Sequence, residues 1–317
     1  EKLVESVAKA CSLPAYKVVG VKKGSEGFEG LETQRPLTTG LSPLLLGDFV
    51  TLEQGTGCVH IAPGHGMEDY LLVLAHNAKA SVGERLEILA PVDNGGKFTA
   101  AVPEFVGQHV FKANPKIVER LKENGRLLGH GSLNHSYPHC WRCKQPVIFR
   151  ATEQWFVSME TNELRKEALA EIERVRWIPA YGRDRINGMI ENRPDWCLSR
   201  QRVWGTPIPG FTCVECGKVL AHPRVIDHVA DLIGQHGTDY WFANQAAALL
   251  PAGTQCEGCG GTEFEKERDI LDVWFESGVS YAAVLKSRQW YPAYWYLEGS
   301  DQHRGWFHSA LLAGVIT

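Results

Sequence analysis

The chain has 317 residues, of which 44% are hydrophobic and 22% are charged, and its formal net charge is −4. This length predicts about two or three domains, and no uninterrupted apolar run is long enough to form a membrane span. The acidic balance excludes a general electrostatic attraction to nucleic acid, so any contact with RNA must come from local basic clusters.

Cysteine usage indicates the compartment. Nine cysteines are present, and six of them form three Cys-x-x-Cys pairs. This pattern favours metal binding in a reducing compartment over a secreted disulfide framework. The first residues, Glu1–Ser6, do not have the features of a signal peptide. A cytoplasmic protein is therefore predicted.

The N-terminal stretch is predicted to be dominated by strands. Apolar residues at helical spacing predict one helix over residues 1–12 that ends before Pro14. Residues 16–21 and 49–52 are rich in β-favouring side chains and predict strands separated by Gly- and Pro-rich turns.

Residues 55–70 contain the first candidate site. A strand through Val59 and Ile61 is expected to lead through a glycine turn into a helix, with Asp69 in the first helical turn, where the helix dipole favours a carboxylate. Taken alone, His60 is more often a hydrogen-bonded core residue than a catalyst. Asp69 is likewise more often a helix cap.

Two further helices and a strand follow. Asn114 predicts a helix N-cap, with Pro115 at the first helical position and Gly125 at the C-terminal end. Residues 151–157 predict a strand, and Thr161 is expected to begin a helix. The inward face of that second helix is predicted to consist of Leu164, Ala168, Ile172 and Val175.

The spacing of Cys140 and Cys143 suits two thiolates on one tetrahedral metal ion. A second pair is needed to close such a site. These two residues are therefore either half of a metal site or free thiols.

Four other cysteines form a pair of pairs, Cys213 with Cys216 and Cys256 with Cys259. A glycine follows each second cysteine and permits the tight turn that directs backbone amides at sulfur. One structural Zn2+ held by all four thiolates is the favoured interpretation, with disulfides or a thioredoxin-like redox role as alternatives.

Residues 187–209 alternate arginines with Trp196 and Trp204. Such interleaving is typical of surfaces that bind phosphates and stack on bases, but a packed surface with cation–π contacts has the same pattern. The candidate RNA-binding cluster comprises Arg183, Arg185, Arg193, Arg200 and Arg202.

The C-terminal stretch combines an aromatic segment with polar residues. Residues 294–297 predict a strand, and Ser300 or Asp301 predicts the N-cap of a helix that contains Phe307 and Leu311. Ligands of open α/β sheets bind where a strand gives way to a helix. The candidate ligand-binding residues at this point are Glu298, Asp301, Gln302, His303 and Arg304.

Two motifs in the C-terminal part of the chain resemble the active-site region of the isoleucyl-tRNA synthetases, a class I family. They are Asp272-Val-Trp-Phe-Glu-Ser-Gly278 and Glu298-Gly-Ser-Asp-Gln-His-Arg-Gly-Trp-Phe307. The segments 55–70 and 187–209 resemble the same family, in the same order along the chain.

The resemblance implies ATP-dependent attachment of isoleucine to tRNA(Ile) through an aminoacyl-adenylate, with ATP and Mg2+ used as substrate by the full-length enzyme. It implies that Trp274, Gln302 and Trp306 border the aliphatic pocket, and that Glu298 and Asp301 hold the amino acid or adenylate.

A second, hydrolytic site is also implied. By resemblance, His60 and Asp69 line the editing pocket that removes valine from mischarged tRNA(Ile). The family has small residues where this chain has Cys58, and commonly threonine where it has Ile61. These two differences bear on the shape of the pocket.

The implied fold is α/β: part of a class I Rossmann-type catalytic domain with an inserted β-rich editing domain and a zinc-knuckle region. Four parts are expected: a partial editing (connective peptide) domain at 1–136, a connection and return to the catalytic core at 137–209, a zinc-knuckle insertion at 210–267, and a truncated C-terminal half of the Rossmann-type domain at 268–317.

The sequence contains no His-x-Gly-His element and no Lys-Met-Ser-Lys-Ser loop. The chain is therefore expected to be an internal fragment of a monomeric, non-membrane synthetase, and to be unable to activate isoleucine alone. Valyl- and leucyl-tRNA synthetases are the nearest alternatives. A non-catalytic, zinc-dependent RNA-binding module and a thiol oxidoreductase are the others.

Overall fold

The computed structural model describes residues 3–53 and 55–317. The chain separates into two compact units, Glu1–Thr152 and Glu153–Thr317, called unit 1 and unit 2 below. Both units mix helices with short strands, in agreement with an α/β class. The four-part division expected from the sequence is finer than these units and stays a prediction.

Unit 1 is built from short elements. Its helices are α1 (Val4–Ala10), α2 (Gly24–Gly27), α3 (Met67–Asn77) and α4 (Val110–Glu123), and an antiparallel pair joins β1 (Glu32–Gln34) to β2 (Leu41–Pro43). Single 3-10 turns occur at Val82–Glu84 and Pro103–Phe105. The predicted N-terminal helix is confirmed with slightly shorter ends, as is the helix that carries Asp69 in its first turn.

The three strands predicted in unit 1 are wrong. Residues 16–21 and 49–52, and the segment through Val59 and Ile61, form no strand in the structure. Val19 is 92% exposed, so its β-branched side chain has no sheet surface to pack on. β-propensity is expressed only where a neighbouring strand supplies hydrogen bonds and contacts, and none of the described strands lies beside these segments.

The start predicted for α4 is also wrong. The helix begins at Val110, and Pro115 lies inside it instead of at its first position. The buried Ala113, with 0% exposure, lies in the extra turn, so tertiary packing extends the helix upstream of the proline. Proline removes one backbone donor, but the helix continues through it.

The predicted end of α4 is confirmed. Gly125 has φ +66°, its amide donates to the carbonyl of Lys122, and the amide of Arg126 donates to the carbonyl of Leu121. This is the Schellman pattern, in which a left-handed residue lets the chain satisfy the last helical carbonyls.

Unit 2 contains more helices and strands than unit 1. Its helices are α5 (Leu164–Arg174), α6 (Tyr181–Glu191), α7 (Pro223–His236), α8 (Asp239–Ala243), α9 (Ala246–Leu249), α10 (Val273–Gly278) and α11 (Trp306–Ile316). Shorter helical turns are Thr161–Glu163, the π-helical Tyr281–Lys286 and the 3-10 Ser300–Arg304. Among the described residues, no helix combines the length and apolar character that crossing a bilayer requires.

The strands of unit 2 form three small sheets. β3 (Phe156–Val157) pairs with β4 (Trp196–Cys197), β5 (Ser199–Arg200) with β9 (Ile270–Leu271), and β6 (Phe211–Cys213) lies between β7 (Val219–Leu220) and β8 (Phe264–Lys266). Every pairing between described strands is antiparallel. The parallel sheet of a Rossmann-type half therefore stays a prediction.

Two hydrophobic clusters form the interior of unit 2. The first joins α5, α6 and α11, and its buried members are Met159, Leu164, Ala168, Ile172, Ile186, Ile190, Trp196 and Leu312. The second lies beneath the three-stranded sheet and contains Phe211, Val225, Val229, Trp241, Ala246 and Leu249. The predicted inward face of α5 is confirmed for its first three residues, but Val175 follows the helix and is 50% exposed.

Two boundaries in unit 2 differ from the prediction. Of residues 151–157, only Phe156–Val157 pair as a strand. The helix predicted from Thr161 begins instead at Leu164, because Asn162 and Glu163 adopt positive φ values of 54° and 57° and interrupt the α conformation.

The strand predicted for residues 294–297 is not formed. Tyr294 is 96% exposed and Leu297 is 75% exposed, and the segment has no strand partner among the described residues. The predicted N-cap is also wrong, because Ser300 and Asp301 lie in a 3-10 turn. α11 starts only at Trp306, after a break at Gly305 with φ −142° and ψ −120°.

Candidate metal centre and ligand cleft

The structure brings the cysteines of the second and third pairs together. The sulfur atoms of Cys213, Cys216, Cys256 and Cys259 all lie within 4.8 Å of one another. The Sγ atoms of Cys213 and Cys259 are 3.6 Å apart, and those of Cys216 and Cys256 are 3.5 Å apart. β6 carries Cys213 and pairs with β8, which follows the turn of Cys256 and Cys259. The three-stranded sheet of β6, β7 and β8 therefore holds the two cysteine turns face to face.

Both cysteine turns have the same pattern of backbone hydrogen bonds. In the first, the amide of Cys213 donates to the carbonyl of Lys218, and the amide of Gly217 donates back to Cys213. The second turn repeats these bonds, from Cys256 to Gly261 and from Gly260 to Cys256. Gly217 and Gly260 have φ values of 72° and 77°, the left-handed region that glycine adopts without steric cost.

Backbone amides point at the sulfur atoms. Gly258 N lies 3.3 Å from Cys256 Sγ, and Gly261 N lies 3.4 Å from Cys259 Sγ. The amides of Cys259 and Gly258 lower the pKa of Cys256 to about 6. The Gly261 amide acts in the same sense on Cys259, but Cys216 and Cys213 outweigh it and raise the pKa of Cys259 to about 12. Four thiolates this close repel one another unless a cation lies among them.

The donor set fits zinc. Zn2+ bound to four thiolates lies about 2.3 Å from each sulfur, which sets the sulfur atoms about 3.8 Å apart in a tetrahedron. The distances between the four sulfur atoms are compatible with that value after small adjustments. Within residues 3–53 and 55–317, no other group of three or more Cys, His, Asp or Glu side chains is arranged to hold a metal.

The first Cys-x-x-Cys pair, Cys140 and Cys143, folds in the same way, but no second cysteine pair faces it among the described residues. The amide of Cys140 donates to the carbonyl of Gln145, and the amide of Lys144 donates to Cys140, as in the other two turns. Lys144 occupies the position of the two glycines with φ +59°. Backbone amides of Cys143 and Arg142 lower the pKa of Cys140. The pair is therefore a preformed turn with two sulfur donors.

A cleft of about 280 Å³ opens in unit 2 near the start of α11. It is formed by the segment between α6 and β5, the start of α10 and the first turn of α11. Its lining residues are Arg193, Pro194, Asp195, Trp196, Cys197, Arg200, Asp272, Trp274, Arg304, Gly305, His308 and Ser309.

Asp272 organises one wall of the cleft. Its side chain is buried, and Oδ2 accepts a hydrogen bond from Trp196 Nε1 at 3.0 Å and pairs with Arg200 Nη2 at 3.0 Å. Its Oδ1 accepts the amide of Trp274 at 3.3 Å, which caps α10. Arg200 Nη1 also donates to the carbonyls of Cys197 and Ser199, so three contacts fix its guanidinium beside Asp272.

Two residues of the cleft have a buried nitrogen without a hydrogen-bond partner. His308 is 5% exposed, and its Nε2 has no hydrogen-bond partner, nor does the buried Nε of Arg193. Burial lowers the pKa of His308 to about 4, and the positive charges of Arg193 and Arg304 act in the same direction. Burial also lowers the pKa of Arg193, against the effect of Asp272.

Three of the five residues proposed for the aminoacyl pocket meet at Gly305. Gln302 Oε1 accepts the backbone amide of Trp306 at 2.9 Å, and the indole Nε1 of Trp306 donates to the carbonyl of Ser277 at 2.8 Å. A Cβ at Gly305 would lie 2.3 Å from Gln302 Oε1 and 3.1 Å from the ring of Trp274. Only glycine therefore permits this approach. Of these three residues, Trp274 alone lines the cleft, and it is 42% exposed.

The other two residues proposed for this pocket are on the surface. Glu298 and Asp301 are exposed, and neither is among the residues that line the cleft. Asp301 Oδ2 accepts a hydrogen bond from Gln302 Nε2 at 3.0 Å, so Asp301 is tied to the group around Gly305. Glu298 precedes the 3-10 turn in the unpaired aromatic segment.

The residues proposed for editing lie in unit 1. Asp69 is in the first turn of α3, and its Oδ2 accepts the amide of Ala62 at 2.9 Å, which fixes the loop before the helix. His60 is exposed and belongs to no strand, so the expectation of a buried core histidine is wrong. The cause is the same as for the neighbouring segments, because no described strand covers this stretch.

The cleft also contains residues that the sequence did not indicate as a site. His308 has no motif of its own, because one histidine on the buried face of a helix looks like a core residue. Asp272 is the first residue of the motif at 272–278, but the motif gives no hint of its contact with Arg200. Arg193 belonged to the candidate RNA-binding cluster.

Comparison with known proteins identifies the family. The family model described as tRNA synthetases class I (I, L, M and V) matches residues 14–317. An isoleucine–tRNA ligase of Geobacter sulfurreducens is 60% identical over 278 residues, which are 87% of this chain and 29% of that protein. Isoleucine–tRNA ligases of Syntrophotalea carbinolica and Persephonella marina are each 53% identical, over 100% and 99% of this chain and 33% and 34% of those proteins.

The chain thus spans about a third of the length of these curated relatives. The family match includes both units and extends from the segment after α1 to the end of α11. It also includes the four-cysteine cluster and the residues around Gly305. On this match, the chain belongs to the class I tRNA synthetases.

Proposed function

We propose that this chain is part of an isoleucine–tRNA ligase, which joins isoleucine to tRNA(Ile) with ATP and Mg2+. The relatives of this name that match the chain support this assignment. The observation that carries it is the meeting of Trp274 and Gln302 at Gly305, next to the backbone amide of Trp306, because the Trp274 ring beside a glycine gives the cleft an apolar surface for an aliphatic side chain.

The reaction has two steps. The isoleucine carboxylate attacks the α-phosphate of ATP and releases pyrophosphate, and a terminal ribose hydroxyl of the tRNA then takes the aminoacyl group from the adenylate and releases AMP. Neither step needs a covalent enzyme intermediate, so positioning carries most of the catalysis. Trp274 and Trp306 would hold the side chain, while the carboxylates of Glu298 and Asp301 would accept hydrogen bonds from the amino group or adenylate.

Editing is the second proposed activity. A pocket that selects by shape rejects valine only weakly, because valine is merely one methylene smaller, and this discrimination is the standard example of that limit. The Oδ2 atom of Asp69 is bonded to Ala62, which leaves Oδ1 to accept the α-amino group of a misattached valine. His60 would position the ester for attack by water, and its exposure makes it accessible to a tRNA end.

The cysteine cluster would hold one structural Zn2+. The ligands would be Cys213, Cys216, Cys256 and Cys259, whose sulfur atoms lie within 4.8 Å of one another. Four protein ligands leave no open position, so the ion would fasten the two turns together and take no part in the reaction. Cys140 and Cys143 would supply at most half of a second site.

The activation test uses the complete enzyme that contains this chain. Isoleucine-dependent exchange of pyrophosphate into ATP is expected in the parent and strongly reduced in Trp274→Ala. Trp290→Ala is the matched control, because Trp290 is 60% exposed and does not line the cleft. Preference for valine or leucine in the parent would refute the isoleucine assignment, and unchanged exchange in Trp274→Ala would refute the role of the indole.

The editing test compares neighbouring acids of α3. Asp69→Ala in the complete enzyme is expected to let valyl-tRNA(Ile) accumulate. Glu68→Ala is the control, since Glu68 occupies the same helical turn but is exposed. If deacylation of valyl-tRNA(Ile) is equally fast in the parent and in Asp69→Ala, Asp69 has no part in editing.

A further inference from the structure

One tight turn of unit 1 lies in the chain between the two residues proposed for editing. It comprises residues 62–66, and the amides of His65 and Gly66 both donate to the carbonyl of Ala62, at 2.8 and 3.1 Å. α3 starts directly after it. The path of this turn therefore sets where one editing residue lies relative to the other.

The carboxylate of Asp69 contacts both ends of the turn. Its Oδ2 accepts the amide of Ala62 at 2.9 Å. A Cβ at Gly66 would lie 2.6 Å from the same oxygen, so a side chain there would push the carboxylate away. Because the carboxylate is fitted to the turn in this way, a change in the orientation of the turn also moves the carboxylate.

His65 fastens the turn to a segment 84 positions away in the sequence. The carbonyl of Phe149 can only accept a hydrogen bond, so Nδ1 of His65 carries a proton and donates to it, at 2.7 Å. Nε2 of the same ring is buried and has no hydrogen-bond partner among the described residues. Next to this contact, the amide of Ala151 donates to the carbonyl of Gly64 at 2.7 Å.

Backbone packing limits how far the turn can shift. Gly64 is buried, and a Cβ at this position would lie 2.3 Å from the carbonyl oxygen of Leu89 and 2.8 Å from Cα of Ala90. The turn is thus packed against a third segment, independently of any side chain. Loss of the His65 hydrogen bond is therefore expected to tilt the turn without unfolding it.

His65 and His60 differ in what they can touch. His60 is exposed and accessible to a tRNA end. The nitrogen of His65 that is not bonded to Phe149 is buried, so it does not reach a bound ester. Any contribution of His65 to editing must therefore pass through the turn and the carboxylate of Asp69.

We propose that His65 is a positioning residue of the editing site. Its hydrogen bond to Phe149 holds the turn in the orientation in which Asp69 accepts the α-amino group of a misattached valine. The inference rests on the editing function proposed above and adds to it the group that orients Asp69. His65 itself makes and breaks no bond of the substrate.

The test measures hydrolysis of valyl-tRNA(Ile) by the complete enzyme that contains this chain. His65→Ala removes the donor and is expected to lower kcat about fivefold at unchanged KM, the equivalent of one hydrogen bond of about 1 kcal/mol. His65→Asn keeps an N–H donor near the position of Nδ1 and should return kcat to within about twofold of the parent. His76→Ala is the matched control, because His76 is a half-buried histidine in the last turn of α3, and its kcat should equal that of the parent.

A second substrate separates positioning from loss of folded enzyme. α-Hydroxyisovaleryl-tRNA(Ile) has a hydroxyl in place of the α-amino group, so it lacks the cation assigned to Asp69. His65→Ala should lower its hydrolysis by about twofold at most. Partial unfolding would instead lower the hydrolysis of both substrates by the same factor.

Three results would overturn the role of His65: hydrolysis of valyl-tRNA(Ile) by His65→Ala as fast as by the parent, equal losses for the two substrates, or no recovery in His65→Asn. Asp69→Ala distinguishes these from a failure of the editing function. If Asp69→Ala hydrolyses valyl-tRNA(Ile) as fast as the parent, the assignment of Asp69 itself is rejected. A slow Asp69→Ala beside an unimpaired His65→Ala rejects only the positioning role.

Discussion

The two units of the chain contain the same cysteine turn in different surroundings. In unit 2 two such turns face each other across the sheet of β6, β7 and β8, and the four sulfur atoms lie within 4.8 Å. In unit 1 the turn at Cys140 has the same two backbone hydrogen bonds but no facing pair among the described residues. The turn is therefore a local property of the sequence, whereas the cluster of four cysteines depends on the tertiary fold.

The two units also differ in how their buried apolar residues are packed. Both hydrophobic clusters belong to unit 2. Among the described residues of unit 1, the buried apolar ones are Ala8, Val73, Val92, Phe105 and Ala113, which form no such cluster. Burial of contiguous apolar surface is the main source of folding free energy. Sites in unit 2 are thus held by a core, and those in unit 1 are held by individual turns and helix ends.

Loss of one zinc ligand should give the largest contrast between the units. Cys216→Ser is expected to lower the zinc content of the purified chain from about one ion to about none and to unfold the region around β6, because binding of a structural zinc is worth on the order of 10 kcal/mol of folding free energy. Cys143→Ser, the second cysteine of the unpaired turn, should leave the zinc content unchanged. Elemental analysis and circular dichroism measure both quantities.

The opposite pattern of zinc contents in these two variants would contradict the assignment of the metal to unit 2. If Cys143→Ser loses zinc while Cys216→Ser retains it, the facing turns of unit 2 are not the metal centre.

The buried histidine of unit 2 should make stability depend on pH. Burial holds the pKa of His308 near 4, below the ordinary value of 6.5, so the folded state favours the neutral ring. The resulting stability is complete above pH 6.5 and is lost as the pH falls toward 4. The full shift corresponds to about 3 kcal/mol.

Urea unfolding at pH 7 and at pH 4.5, followed by tryptophan fluorescence, measures this loss. His308→Gln should remove about 2–3 kcal/mol of the difference between the two pH values. The same substitution at the exposed His60 of unit 1 is the control and should leave the difference as in the parent. An equal effect of the two variants would show that burial of His308 does not set the acid transition.

A matched pair of valines tests the contrast between the interiors. Val229 is 1% exposed within the second cluster of unit 2, and Val73 is 2% exposed in α3 of unit 1. Val229→Ala is expected to cost about 2 kcal/mol and Val73→Ala about 1 kcal/mol, because a cavity in a packed cluster collapses less. Hydrogen exchange of α7 and α3 peptides reports each cost locally, and equal losses would contradict the difference in packing.

The sequence predicted helices and turns far better than strands. Helical spacing located α3 and the inner face of α5, and Gly125 marked the end of α4, because those signals depend on residues a few positions apart. The segments at 16–21 and 294–297 have strong β-propensity but no pairing partner. Strand formation depends on a neighbour that the local sequence does not specify.

The candidate sites likewise include parts that the local sequence predicts and parts that only tertiary packing creates. The four cysteines could be grouped from their spacing, and the resemblance indicated Trp274, Gln302 and Trp306, which meet at Gly305. The meeting of Arg193 and His308 in one cleft could not be predicted, since Arg193 was grouped with other arginines of its own segment and His308 has no diagnostic motif. Only the packing of α11 against α5 and α6 brings them to one cavity.

The smallest expected effect concerns the left-handed residue of the cysteine turns. Lys144 has φ +59°, where Gly217 has +72° and Gly260 +77°. A side chain in this region costs about 1 kcal/mol, part of which glycine returns through its greater freedom in the unfolded chain. Lys144→Gly should therefore stabilise the turn by about 0.5 kcal/mol, measured as slower hydrogen exchange of the Cys140 amide.

Gly217→Lys should destabilise its turn by about 1 kcal/mol, because a Cβ there meets no atom within 4 Å and only the backbone conformation opposes it. If both substitutions are neutral, the turns are held by their surroundings in both units, and the local origin of the turn is wrong.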